Sequence, residues 1–344
     1  MGQRINLSST ELYTTCSHVI TCGTVPYIVG HPGIGKSDIV RKVAKNKNLK
    51  LLDIRLSTID PTELTGFPTK IEGNKASYIP FEMFPIEGDE LPENHDGWLI
   101  FLDELSSAPR FVQAAAYKII LDRMVGLKPL HEKVHIVAAG NLITSNAVVE
   151  TMSTALQSRL ITLYLEPNLN DWLDWAYENK IDYRITGYLN FKKSAFHNFD
   201  PNHTESSFAC PRTWEMLSKN INSFKKIPQE FLAVITGTIG EGEGIEFKTF
   251  CEVFDNLPSM SEILSNPTGF SFENSPQIRF AIAMMIAENF NASNEDKLIA
   301  ALKHLGKEFA AVALKKIIKS NPTEIITLPH LSELLVETCK SIYG

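Results

Sequence analysis

Eight consecutive residues, Gly30-His31-Pro32-Gly33-Ile34-Gly35-Lys36-Ser37, set glycines, a lysine and a hydroxyl at the spacing G-x-x-x-x-G-K-[ST]. Residues of these types in this order can hold a chain of phosphates. The glycines let backbone N–H groups turn inward around the anion, Lys36 adds a positive charge near the β and γ phosphates, and the Ser37 hydroxyl can ligate Mg²⁺. The run follows an apolar stretch and opens a helical pattern, the setting this motif requires, and the start of that helix adds its own partial positive charge. A plain Gly-rich turn would show the same letters by chance in about one chain of this length in a hundred. His31 occupies a free position of the loop and reads as a solvated side chain.

The run Trp98-Leu99-Ile100-Phe101-Leu102-Asp103-Glu104 reads as a buried central strand delivering two carboxylates at its C-terminal end, where open α/β sheets bind ligands. Asp103 is then placed to hold Mg²⁺ with Ser37, and Glu104 to polarise an attacking water. Alone, such a run is equally a strand that ends at a solvated turn; behind a phosphate loop, the chemical reading takes precedence. A further apolar run, Val134 to Ala139, ends in Gly140-Asn141 and sets a neutral amide beside the carboxylates, able to bond water or a γ-phosphate without adding charge. In isolation Asn141 would be a turn asparagine.

Two arginines extend the constellation. Arg159 closes an expected helix, Thr151 to Ser158, and lies far along the chain from the phosphate loop. It cannot easily reach its own nucleotide, but in a ring it could reach a neighbour's, where a guanidinium is worth about 10³- to 10⁵-fold in rate. The alternative is a helix C-terminal cation facing the dipole. Arg212, after Pro211 at a helix start, is either a surface charge or a second guanidinium folding over ATP.

The elements that must position these groups follow from periodicity. Five strands are expected at Tyr27-Ile28-Val29, Leu51-Leu52-Asp53-Ile54, Leu99 to Leu102, His135 to Ala138 and Ile161 to Tyr164. Between them, Ile39, Val40, Val43 and Ala44 mark one helix face, and Phe111, Val112, Ala115, Ile119 and Ile120 another. Strands alternating with helices imply a parallel sheet. Asp60-Pro61-Thr62-Glu63 has the spacing of a capped helix start, with Gly66 as its stop. Thr69 to Gly97, rich in proline, glycine and acids, reads as an irregular insertion or hairpin. After Pro167 helical patterns take over, at Leu169 to Tyr177, Arg212 to Lys219, Gln277 to Phe290, Glu295 to Leu305, Glu308 to Ile318 and Leu331 to Cys339. Two domains are therefore expected, an α/β part over 1–167 and an all-α part over 168–344.

Composition narrows the classes. The 44% apolar content suffices for two cores, and a net charge of −7 argues against a protein that coats nucleic acid through a basic face. Five scattered cysteines suit reduced thiols, and no apolar run approaches the length needed to span a bilayer, so a cytoplasmic location is expected. Trp172 and Trp175 read as packing between the two parts, since acidic Asp171 and Asp174 are poor company for stacked bases. His131 and His135 lack the H-E-x-x-H arrangement that would suggest zinc.

Taken in order, these residues resemble the AAA+ ATPase superfamily and, within it, the MoxR-like branch. Residues 30 to 37 look like its Walker A motif, Leu102 to Leu105 like Walker B, Ala138 to Asn141 like sensor 1, Ala155 to Leu160 like the arginine-finger segment and Pro211 to Glu215 like sensor 2. The resemblance covers roughly residues 20 to 220, and Leu160 stands where the branch usually has phenylalanine. Carried over, it implies Lys36 and Ser37 on phosphate and Mg²⁺, Asp103 and Glu104 on metal and water, Asn141 as sensor 1, Arg159 as a finger acting in trans and Arg212 as the sensor 2 arginine. Residues 60 to 68 look like the segment before the branch's second-helix insertion, a candidate pore element. The resemblance further implies an α/β P-loop core with a helical lid, ATP and Mg²⁺ as cofactors, a hexameric ring that remodels a protein client, and pairing with a von Willebrand factor A domain protein. A nucleic-acid-stimulated motor and a nucleotide-gated scaffold with slow hydrolysis are the rival readings.

Overall fold

The computed structural model describes residues 4–71, 75–142, 154–202, 206–255 and 257–320, with Leu331 and Leu334. The chain divides into two compact units, Met1–Asn168 with Asp200–His203, and Leu169–Phe199 with Thr204–Gly344.

The first unit is a mixed α/β layer structure. In chain order it contains β1 (Asn6–Leu7), α1 (Ser9–Thr21), β2 (Val25–Val29), α2 (Lys36–Asn46), β3 (Leu49–Arg55), α3 (Pro61–Thr65), β4 (Phe67–Lys70), β5 (Ala76–Ile79), β6 (Gly97–Asp103), α4 (Arg110–Asp122), β7 (Met124–Val125), β8 (Lys128–Pro129), β9 (Val134–Gly140), α5 (Thr154–Gln157) and β10 (Leu160–Leu165). The central sheet has the order β1-β10-β2-β9-β6-β3, with every pairing parallel. It therefore has six strands where five were expected. The extra strand, β1, is two residues long, too short to show an alternating pattern, and it joins the edge through Asn6 opposite Tyr164 and Leu7 opposite Leu165.

Every residue of β6 is buried, because helices cover both faces of this central strand. On one face Ile28, Leu99, Phe101 and Val137 pack with Leu12, Cys16 and Ile20 of α1 and Val40 and Val43 of α2. On the other, Ile100, Leu102 and Ile136 pack with Val112, Ala116 and Ile119 of α4 and Leu64 of α3. Each of the valine, leucine, isoleucine and phenylalanine side chains contributes about 1.5–3 kcal/mol by leaving water, which anchors the strand ends that carry polar groups. The capped start at Asp60 forms as the spacing predicts, with the Thr62 amide donating to Asp60 and the Asp60 amide to Glu63. The expected insertion, Thr69 to Gly97, overlaps an antiparallel pair, β4 with β5, that starts two residues earlier, with Phe67 opposite Ile79.

The second unit is helical among its described residues: α6 (Leu169–Glu178), α7 (Tyr183–Phe191), α8 (Pro211–Ile221), α9 (Leu232–Ile239), α10 (Glu241–Asp255), α11 (Met260–Ser265), α12 (Pro276–Glu288), α13 (Glu295–Leu305) and α14 (Lys307–Ser320). One core gathers around Trp214, Tyr188 and Phe247, whose ring centroids lie 5.4 to 5.9 Å apart. Another is built by α11 to α14 around Ile282, Ile286, Leu298 and Leu302. Trp172 packs on Phe196, within this unit. The expected helix over Leu331 to Cys339 falls outside the described residues except at Leu331 and Leu334. No helix among the described residues is long and apolar enough to cross a membrane.

Candidate active site

The loop from β2 into α2 is shaped by its glycines. Gly35 takes φ +92°, a conformation an L side chain adopts only with strain, and it stands immediately before the first turn of α2. The helix therefore begins with Lys36 and points its first amides, and its positive dipole end, towards the loop. Lys36 Nζ donates to the carbonyls of Gly30 and His31, each at 2.8 Å, and to Asn141 Oδ1 at 3.0 Å. The cation thus stands inside the loop and is already bonded to the amide at the end of β9. His31 is half-buried rather than solvated, and desolvation, then the nearby Lys36 charge, holds its pKa below the ordinary histidine value. Its imidazole is neutral at pH 7.

The acids sit where the strand predicts. Ser37 Oγ donates to Asp103 Oδ2 at 3.0 Å, and the Glu104 amide donates to Asp103 Oδ1 at 2.8 Å. Asp103 is 7% exposed, and none of the ion pairs formed among the described residues involves it. A carboxylate so far out of water with no cation beside it fits a site for a positive charge that the chain does not supply. Its hard oxygen and the Ser37 hydroxyl are the donor types Mg²⁺ prefers, and no cluster of three or more metal-binding side chains occurs among the described residues.

Glu104 adopts φ +60° and ψ +30°, the left-handed region, before a tight turn over Leu105–Ser107. Non-glycine residues held there cost about 1–3 kcal/mol and concentrate at functional sites. Its carboxylate accepts a short hydrogen bond from the Ser57 hydroxyl and lies 3.7 Å from Arg55 Nε. Sequence reasoning missed both partners. The signal was register: β3 and β6 pair with Arg55 opposite Asp103, so the residues just past β3 must meet Glu104, but no motif marks them. It also missed Ser106, whose Oγ accepts from the Asn141 amide at 3.0 Å.

Lys36, Ser37, Asp103, Glu104 and Asn141 are therefore gathered at one end of the sheet. Arg159 is not among them. It is exposed, its amide donates to the Leu156 carbonyl, and it directly precedes Leu160, which pairs with Val25 at the start of β2. The loop leaves the other end of β2, about 13 Å away at 3.3 Å per residue. Arg212 is exposed on the first turn of α8, in the helical unit.

No protein-family model matches this sequence, and comparison with curated proteins finds no relative. Among solved structures, similarity is found to NtrX from Brucella abortus (TM-score 0.40, 17% identity, covering 99% of this chain and 69% of that one). It is also found to a putative ATPase from Cytophaga hutchinsonii (0.37, 13%, 96% and 88%) and to the RuvB Holliday junction branch migration motor of Thermotoga maritima (0.36, 14%, 75% and 74%). These likenesses are weak, and the chemistry is read from the chain's own side chains.

Proposed function

We propose that this chain is an AAA+ ATPase of the MoxR-like kind, coupling hydrolysis of Mg·ATP to the remodelling of a protein complex. What carries the proposal is one observation: a phosphate loop lysine bonded to a neutral amide, and a metal-type hydroxyl bonded to a carboxylate that also accepts from the backbone of a second acid, meet at one end of the sheet through hydrogen bonds of 2.8 to 3.0 Å. On nucleotide binding Lys36 exchanges the Gly30 and His31 carbonyls for phosphate oxygens, while the amides at the start of α2 receive the β phosphate. Bound Mg²⁺ supplies charge neutralisation across the phosphates, with Ser37 and Asp103 as its holders on the protein. Glu104 leaves Ser57 and takes the proton of the attacking water, and Asn141 fixes that water or the γ-phosphate.

Arg159, at the far end of β10 from its own loop, suits a finger supplied to a neighbouring subunit, so the working form is a homo-oligomeric ring, a hexamer by resemblance. In the same reading the helical unit is the lid and Arg212 its sensor, a von Willebrand factor A domain protein is the companion, and the protein works in the cytoplasm. A protein client is supported by the β4–β5 hairpin, whose outer pair Phe67 and Ile79 is 62% and 54% exposed, next to exposed Ile71, Phe81 and Met83.

Titration with a fluorescent ATP analogue, followed by turnover measurements, tests the core of this. Lys36→Ala is expected to abolish binding, and Glu104→Gln to bind normally while hydrolysing roughly 10²- to 10⁴-fold more slowly. Unchanged affinity in Lys36→Ala removes the proposal; normal turnover in Glu104→Gln places the base elsewhere.

A further inference from the structure

Asn141 is held from behind by residues that none of the phosphate or metal motifs includes. Its backbone N–H donates to Ser106 Oγ at 3.0 Å, and Ser106 is 3% exposed in the turn that follows Glu104. The hydroxyl of Tyr27, a buried residue of β2, lies on the same side of Gly140 as the Ser106 hydroxyl. Burial pushes that phenol up to about 12, so Tyr27 is a neutral O–H at any working pH. The two hydroxyls lie over Gly140. A Cβ placed on Gly140 would stand 2.3 Å from the Tyr27 hydroxyl oxygen and 2.6 Å from Ser106 Oγ, so the residue before Asn141 is glycine because these two hydroxyls occupy the space of a side chain.

Three strands thus converge on one buried link. Tyr27 comes from β2, which feeds the phosphate loop; Ser106 comes from the turn after β6, which carries Asp103 and Glu104; Gly140 ends β9. Tyr27 pairs with Ala138 across the β2–β9 ladder, two residues before Gly140. The sheet register already places the strands, so the hydroxyl pair is not needed to assemble them. What it fixes is the one backbone amide from which the Asn141 side chain departs towards Lys36 Nζ, 3.0 Å away.

We infer that Tyr27 and Ser106 are positioning residues for hydrolysis, a bracket of two buried hydroxyls that sets the Asn141 amide against the phosphate loop and ties its place to the turn bearing Glu104. This rests on the ATPase reading above. The bracket works through Asn141, so it acts on the chemical step and leaves nucleotide capture by Lys36 and the α2 amides alone.

Steady-state turnover of the full chain, with analogue affinity and a thermal melt recorded for each variant, tests this. Ser106→Ala is expected to lower kcat by about 10-fold, the worth of one lost hydrogen bond to a positioned group, with KM and analogue affinity within about twofold of the parent. Tyr27→Phe should give the same split at about 3-fold, and the double variant should be no slower than Ser106→Ala alone, because both changes break one unit. A fall in affinity that matches the fall in kcat, or additive losses in the double variant, overturns the bracket. Should Ser106→Ala melt before assay, Tyr27→Phe decides: it retains the ring and removes only the hydroxyl, and parental turnover in it refutes the inference. A parent chain that neither binds the analogue nor turns over ATP fails the ATPase reading itself, whereas an active parent with an equally active Ser106→Ala fails the bracket alone.

Discussion

In the helical unit the acid Asp182 lies 2.6 Å from Arg184 Nη2, with both side chains 3% exposed; in the α/β unit Asp103 is nearly as buried but has a hydroxyl and an amide as its neighbours. The Arg184 guanidinium is also bonded to the Ile221 carbonyl, and the Asp182 amide to Ser218 Oγ, so the pair joins α7 to α8. Burial works against the charged guanidinium and Asp182 outweighs it, leaving the Arg184 pKa above its ordinary value. The contrast teaches what a buried acid signifies. One whose counter-charge is folded in beside it is structural, and one whose counter-charge is missing marks a place where a charge is to be received.

Removing each acid in turn has opposite consequences for stability and turnover. Asp182→Ala strands a buried guanidinium and is expected to cost about 3–5 kcal/mol of stability. Asp103→Asn removes an uncompensated charge, so unfolding free energy should stay within about 1.5 kcal/mol of the parent. Its turnover should instead fall on the order of 10²- to 10³-fold, as when one electrostatic partner of a transition state is lost. Denaturant melts and ATPase assays on both variants check this. A stable Asp182→Ala, or an unfolded Asp103→Asn, would show that burial is being read the wrong way round.

A smaller effect separates the two acids of the α/β unit. Glu104, unlike Asp103, has a cation beside it, Arg55 Nε at 3.7 Å, and its carboxylate also accepts from the Ser57 hydroxyl. Ser57→Ala should release it and raise basal turnover by about 2- to 5-fold, a hydrogen bond's worth discounted for a carboxylate that is a third exposed. A fall in turnover would assign Ser57 to the working state instead of the resting one.

The same contrast explains what the sequence disclosed. Lys36, Ser37, Asp103, Glu104 and Asn141 were legible because each ends or begins an element whose periodicity is strong, and their types are those phosphate and metal chemistry demands. Ser57, Ser106 and Tyr27 were not, since a serine or tyrosine gains its role only from strand register, which local pattern does not encode. The helices α12 to α14 followed their apolar spacing to within about two residues. Helices α9 and α10 escaped it, because Gly237, Gly240, Gly242 and Gly244 read as breakers. Packing overrides that propensity. A Cβ on Gly244 would lie 2.8 Å from Thr236 Cα, so glycine is what lets α10 come this close to α9.

The smallest expected effect lies inside the helical unit and tests whether burial, and not charge pairing as such, decides the matter. Lys192 bridges Glu243 at 3.1 Å and Glu246 at 2.6 Å, but it is 31% exposed and Glu246 is 60% exposed. Glu243, 7% exposed, also accepts from the Tyr188 hydroxyl and so keeps Lys192 in place without help. Water solvates Glu246 nearly as well as the ammonium does, and its side-chain freedom is regained when the pair opens. Glu246→Gln should therefore cost no more than about 1 kcal/mol, several times less than Asp182→Ala in the same unit. Chemical denaturation of the two variants side by side checks it: equal losses would mean that ion pairs stabilise this unit regardless of depth, and the distinction drawn for Asp103 would lose its physical basis.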